Sequence, residues 1–114
     1  MNKKDALGFL GLCRRAGKLA CGHDAVKETI QNNTSCLVIV AGDGSQRLFS
    51  EMTKRCVEKN IPIIRTSCIM ADFAASLGKS SAVYSVTDSG FANRIIEKFK
   101  LIDKFEEELD GTEN

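Results

Sequence analysis

Between residues 3 and 16, apolar side chains fall at Ala6, Leu7, Phe9, Leu10 and Cys13. These three- and four-residue steps put them on one face of a helix. Gly17 is a natural stop, and Arg14 and Arg15 occupy the last turn. Residues 18–21 read as a short extended piece that leads through Gly22 into a second helix over 24–31. Ala25, Val26, Thr29 and Ile30 face inward there, and Asn32-Asn33 ends it. The run 36–41, Cys-Leu-Val-Ile-Val-Ala, is apolar at every position, which predicts a central strand covered on both faces. It stops at Gly42-Asp43-Gly44. Ser45 then serves as N-cap for a helix over 46–59, where Leu48, Met52 and Cys56 recur every four residues with Phe49 beside them and Asn60 closes the end. Residues 61–65 predict a third strand, with Pro62 tolerated near its start. A loop over 66–69 precedes a short helix ending at Leu77-Gly78, and 82–87 is the fourth strand. Asp88-Ser89-Gly90 opens a long amphipathic helix with Phe91, Ile95, Phe99, Ile102 and Phe105 on one stripe.

Strands alternating with helices across short loops imply an α/β layered sandwich with some parallel pairing and right-handed crossovers. In such folds ligands gather where strand ends meet helix starts. That rule gathers Gly22, His23 and Asp24; Gly42, Asp43, Gly44 and Ser45; and Thr66, Ser67, Cys68 and Ile69 as a candidate binding surface. Gly22 frees backbone N–H groups at the start of its helix.

A chain of 114 residues matches one ordinary domain, and with one Pro and nine Gly it carries no linker signature. The expected organisation is a single domain over 1–105 and an acidic, frayed tail over 106–114. The apolar run at 36–41 is far short of the roughly 20 residues a membrane helix needs, and Lys3-Lys4 opens no signal peptide, so a soluble cytoplasmic protein with no membrane partner is expected. Five cysteines, at 13, 21, 36, 56 and 68, are odd in number and lack a Cys-x-x-Cys pair, which fits reduced thiols.

The formal charge of +1 conceals an asymmetry. Residues 1–100 hold 15 basic and 9 acidic side chains, whereas 101–114 hold one basic and six acidic. The body therefore suits a polyanion and the tail does not. Arg14, Arg15 and Lys18 cluster around the end of the first helix and Lys27 lies one turn into the second, a grouping that attracts phosphate.

Catalytic and metal constellations fare poorly. Gly78-Lys79-Ser80 resembles the tail of a phosphate-binding loop, but Phe73 stands where that motif needs glycine, and the pair precedes a strand; a helix C-cap is the simpler reading. Cys21 and His23 supply two soft ligands where zinc wants about four. They also lie where backbone direction splays a thiol from its only available imidazole, so the cysteines read as structural. Asp43 and Asp88 could pair as acid and base, but beside glycine and serine they read better as caps or turns. No catalytic residue, metal or cofactor is expected.

Three segments in order carry a resemblance: Leu10-Gly-Leu-Cys-Arg-Arg-Ala-Gly-Lys-Leu19; Cys36-Leu-Val-Ile-Val-Ala-Gly-Asp43; and Leu77-Gly-Lys79 with Ala82-Val-Tyr-Ser-Val-Thr-Asp-Ser-Gly-Phe-Ala92. Across about residues 5–96 the chain resembles the ribosomal protein L7Ae/L30e superfamily, and within it the bacterial YlxQ-like branch. The resemblance implies a three-layer α/β/α sandwich with a mixed four-stranded sheet. It also implies a small protein that binds ribosomal or other structured RNA, without enzymatic activity, and that can associate with ribosomal or translation proteins. Relatives that bind kink-turn RNA carry Gly-x-Asn-Glu-x-x-Lys at the start of the second helix. Here Gly22 keeps the glycine, Asp24 and Ala25 replace Asn and Glu, and Glu28 stands in place of Lys, with Lys27 one residue earlier. Ala25 cannot accept a hydrogen bond from guanine and Glu28 repels phosphate, so shape and phosphate contacts are expected to dominate. The loop at 66–70 corresponds to an apolar wall against a flipped-out base, a role Cys68 and Ile69 suit.

The expected function is RNA binding through the surface formed by residues 22–27, 42–45 and 66–69, Lys27 included, flanked by Arg14, Arg15 and Lys18. The alternative is a protein-interaction module on the same fold that has lost kink-turn recognition.

Overall fold

The computed structural model describes residues 3–112, with side chains described as far as Ile102. The elements run α1 (Lys3–Arg15), β1 (Leu19–Cys21), α2 (His23–Gln31), β2 (Leu37–Val40), α3 (Gln46–Lys59), β3 (Ile63–Arg65), α4 (Met70–Leu77), β4 (Val83–Val86) and α5 (Ser89–Thr112). Every predicted element is present, and the strands are each shorter than their apolar runs. Flanking residues Cys36 and Ala41 still donate to Val86 and Ala82, at 2.7 and 2.9 Å, so the hydrogen bonding outlasts the regular strand. Residues 103–112 continue α5, and the expected tail at 106–114 falls outside the described side chains.

The sheet is mixed, in the order β1-β4-β2-β3. β4 inserts antiparallel between β1 and β2, and β2 pairs parallel with β3 in the register Val38 to Ile63 and Val40 to Arg65. All residues of the two inner strands are buried. Alternation then deals their side chains to two faces. Leu37, Ile39, Tyr84 and Val86 meet Leu7, Leu10, Phe73, Ile95 and Phe99 from α1, α4 and α5. Val38, Val40 and Val83 meet Val26, Ile30, Met52 and Cys56 from α2 and α3. Each such aliphatic side chain contributes roughly 1.5–3 kcal/mol on burial, which is why the continuous run identified this strand. The result is a three-layer α/β/α sandwich.

Two polar residues in the central strand are accommodated locally. Ser85 is fully buried, and its hydroxyl receives a hydrogen bond from Thr29 and donates to Ser35, both at 2.8 Å. Tyr84 stacks on Phe73, with centroids 4.7 Å apart, and its hydroxyl accepts from the Ser81 amide at 3.1 Å. Phe73 and Tyr84 thus fix the turn containing Gly78-Lys79-Ser80. Gly78 closes α4 in the left-handed region at φ 73°, as a helix C-cap rather than a phosphate loop.

Candidate nucleic-acid interface

The sheet register sets the position of the three candidate loops. Cys21 lies opposite Tyr84, and Val40 is flanked by Val83 and Arg65, so β1, β2 and β3 all end at the same edge of the sandwich. α2, α3 and α4 begin there. Gly22–Asp24, Gly42–Ser45 and Thr66–Ile69 are therefore gathered on one surface, as the strand-end rule anticipates.

The two loops that follow the parallel pair are locked together. Gly42 donates to the Cys68 carbonyl at 2.7 Å, and a Cβ on Gly42 would sit 2.6 Å from the Thr66 carbonyl oxygen. Only glycine permits this approach. The buried Thr66 hydroxyl accepts from the Cys68 amide at 3.1 Å, which shapes the turn through Ser67. Asp43 accepts from the Met70 amide at 2.9 Å, and Asp72 accepts from the Ile69 amide at the same distance, so carboxylates cap the start of α4. Ser45 caps α3 by accepting from Leu48 at 3.1 Å. Asp88 caps α5 by accepting from Phe91 at 2.9 Å, at the opposite end of the sheet from Asp43. No shared acid–base pocket exists between them.

Arg65 braces the glycine loop from the end of β3. Its Nη2 donates to the Gly44 and Gly42 carbonyls at 2.7 and 3.3 Å, its Nη1 donates to Gln46 Oε1 at 3.1 Å, and the guanidinium lies 5.3 Å over the Phe49 ring. Sequence reading placed Arg65 merely as a strand end. Its signal is positional only: the register brings it beside Val40, where the loop begins.

Gly22 adopts φ 100°, ψ 160°, a region essentially reserved for glycine, and its amide donates to Val83 at 3.0 Å. This turn starts α2 directly from β1, without a side-chain cap on its first amides. His23 reaches across to α3, where its Nε2 lies 2.9 Å from Glu51, and Arg55 Nε lies 3.4 Å from the same carboxylate. Partial burial acts to raise the Glu51 pKa, but the His23 and Arg55 hydrogen bonds and charges prevail and hold it below its usual value. Glu51 and Arg55 were not legible as site residues, because nothing in a half-buried helical i, i+4 pair announces a partner 28 positions away. Asp24 is fully exposed.

The basic residues are dispersed. Lys18 accepts from the Thr87 amide through its backbone carbonyl at the far end of β1, away from the loops. Arg14 donates to the Leu77 carbonyl, which places it with Arg15 at the C-terminal end of α4, about 11 Å along that helix from the loop surface. Lys27 lies in α2, in the opposite helix layer. Of the expected flank of Arg14, Arg15 and Lys18, Lys18 is thus corrected to the far end of β1, while Lys27 keeps its place one turn into α2. The Cys68 side chain is also corrected: it is buried in the core, and of the pair only Ile69, 43% exposed, offers an apolar surface to a ligand.

Among the described residues, no group of three or more Cys, His, Asp or Glu could hold a metal, and no helix is long and apolar enough to cross a membrane.

A mixed-sheet α/β/α sandwich with three loops at one strand end defines a class of small α/β domains. The model of the ribosomal protein L7Ae/L30e/S12e/Gadd45 family matches residues 4–96, and the chain belongs to that family. It is 35% identical over 89 residues to the RNA-binding protein YlxQ of Bacillus subtilis (strain 168), covering 77% of this chain and 88% of that protein. It is 31% identical over 100 residues to the RNA-binding protein YlxQ of Enterococcus faecium, covering 84% and 92%. These place it in the YlxQ-like branch. A protein of unknown function from Bacillus halodurans C superposes with a TM-score of 0.78 at 26% identity, over 83% of this chain and 96% of that one. The Giardia lamblia 15.5kD RNA binding protein shares the fold, with a TM-score of 0.71 at 14% identity over 89% and 92%.

Proposed function

We propose that this protein binds structured RNA as a cytoplasmic, ribosome-associated factor, and that it does so through the loop surface by shape and phosphate contact, without catalysis. The observation that carries this reading is the meeting of the uncapped start of α2 with the braced Gly42–Gly44 loop and exposed Ile69. Free amides at a helix start receive phosphate oxygens, an apolar side chain receives an unstacked base, and the rigid loop between them sets the spacing. The names of its YlxQ relatives support the same ligand class. With Ala25 and Glu28 in the α2 motif, guanine-edge reading of the kink-turn kind plays little part.

Fluorescence anisotropy with labelled fragments of bacterial ribosomal RNA tests this. Affinity is expected to fall steeply between about 50 and 200 mM salt, and Ile69→Asp is expected to weaken binding about tenfold or more. An absence of binding at low salt defeats the reading. Co-sedimentation with ribosomal particles tests the association separately.

The protein-interaction alternative is favoured by one observation, the exposed Glu28 where a phosphate-binding lysine would serve. It predicts that partners survive ribonuclease treatment of a lysate before pull-down, whereas the RNA reading predicts their loss.

A further inference from the structure

Positive charge gathers at the C-terminal ends of two helices in the layer built from α1, α4 and α5: Arg14 and Arg15 close α1, and Lys79 follows α4.

That layer contains a groove of ≈ 370 Å³ between α1 and α4, lined by Gly8, Gly11, Arg14, Arg15, Ser76 and Leu77. No carboxylate lines it. Gly8 and Gly11 lie inside α1, and a Cβ at either position would meet nothing within 4 Å. Neither has a positive φ. Glycine is the poorest helix former short of proline, so these two cost helix stability without any need arising within the molecule. What they provide is a stretch of helix backbone open to close approach. At its end, Arg14 is oriented by its hydrogen bond to the Leu77 carbonyl and retains four further N–H donors. Arg15 is exposed beside it, and Lys79 follows two residues after Leu77. The C-termini of α1 and α4 contribute about half a negative charge each, which two full guanidinium charges outweigh.

We propose that the α1–α4 groove is a second RNA-contact surface, which seats ribose-phosphate backbone against Gly8 and Gly11 with Arg14 and Arg15 on its phosphate oxygens. The proposal rests on the RNA-binding reading and extends it from one surface to two. A polyanion is favoured over an acidic protein segment because the lining offers two guanidinium groups and, of apolar side chains, only Leu77 for a protein to bury. The loop surface and the groove lie at the two ends of α4, so an RNA that engages both presents two backbone segments to the protein.

The test uses the full chain and the same labelled ribosomal RNA fragments. Gly11→Gln fills the groove with a good helix former and leaves the charge unchanged. It is expected to unfold at the same or a higher temperature than wild type and to bind about three- to tenfold more weakly. Arg15→Ala is expected to reduce the slope of log affinity against log salt by about 0.7–0.9. If both variants bind as wild type does, with an unchanged slope, the groove proposal is overturned while the loop reading stands. If Ile69→Asp binds normally and the groove variants are weakened, the groove stands and the loop surface falls. If wild type binds none of the fragments, both fall.

Discussion

The Asp43 carboxylate accepts a hydrogen bond from the Met70 backbone amide at 2.9 Å, so the loop that follows β2 caps the helix that follows β3. Asp-Gly sequences ordinarily cap or turn locally. Here the cap crosses 27 positions and ties two of the three candidate loops together. Replacing Asp43 with Ala is expected to cost about 1 kcal/mol and to lower the thermal midpoint by roughly 4 °C, while Asn, which retains an acceptor, keeps most of the stability. Unchanged melting of the alanine variant would show that the cap contributes nothing.

Arg65 holds the Gly42 and Gly44 carbonyls and lies over Phe49. A lysine keeps the charge but loses the planar fork. Arg65→Lys is therefore expected to fold, to show faster amide exchange through residues 42–45, and to bind RNA several-fold more weakly. Wild-type exchange rates in that loop would remove Arg65 from the positioning of the site.

Gly42 illustrates a tighter constraint. Because a Cβ there would lie 2.6 Å from a backbone oxygen, Gly42→Ala must displace the 66–68 turn. Overpacking of this kind costs about 1–3 kcal/mol, to be read as a lowered urea midpoint. By contrast, Gly8→Ala and Gly11→Ala meet open space and are each expected to stabilise by about 0.5–1 kcal/mol.

Alkaline stability follows from the buried thiols. Burial pushes Cys13 up from 9.0 to about 11, with Asp88 and Cys21 adding to the effect, and burial also raises Cys56 to about 11. Burial raises Tyr84 from 10.0 to about 12. The unfolded chain releases these protons at lower pH than the native one. The stability they support is therefore complete below pH 9 and is lost as pH rises towards 11, and Tyr84 extends the loss towards 12. Urea titrations at pH 8, 9.5 and 10.5 are expected to give falling midpoints; a flat series contradicts the burial of these groups.

The sequence by itself determined the elements and their order. Periodicity is a local property, so Leu48, Met52 and Cys56 declared α3, and the unbroken apolar run declared β2 as central. The resemblance carried by the Arg-Ala-Gly-Lys and Val-Thr-Asp-Ser-Gly-Phe-Ala segments supplied the mixed sheet, and the alternation of strands and helices had already singled out the three strand-end loops. Tertiary structure alone decided which residues meet. The antiparallel pairing of β4 with β2 carried Asp88 to the end of the sheet opposite Asp43. The contacts of the 66–69 turn with Gly42 and Thr66 bury Cys68 in the core while Ile69 stays outside, a distinction between neighbours that composition cannot make. Arg65, Glu51 and the groove beside Gly8 and Gly11 depend on distances between elements far apart in the chain. Those distances are set by packing of the two helix layers on the sheet, and no local pattern of residues encodes them.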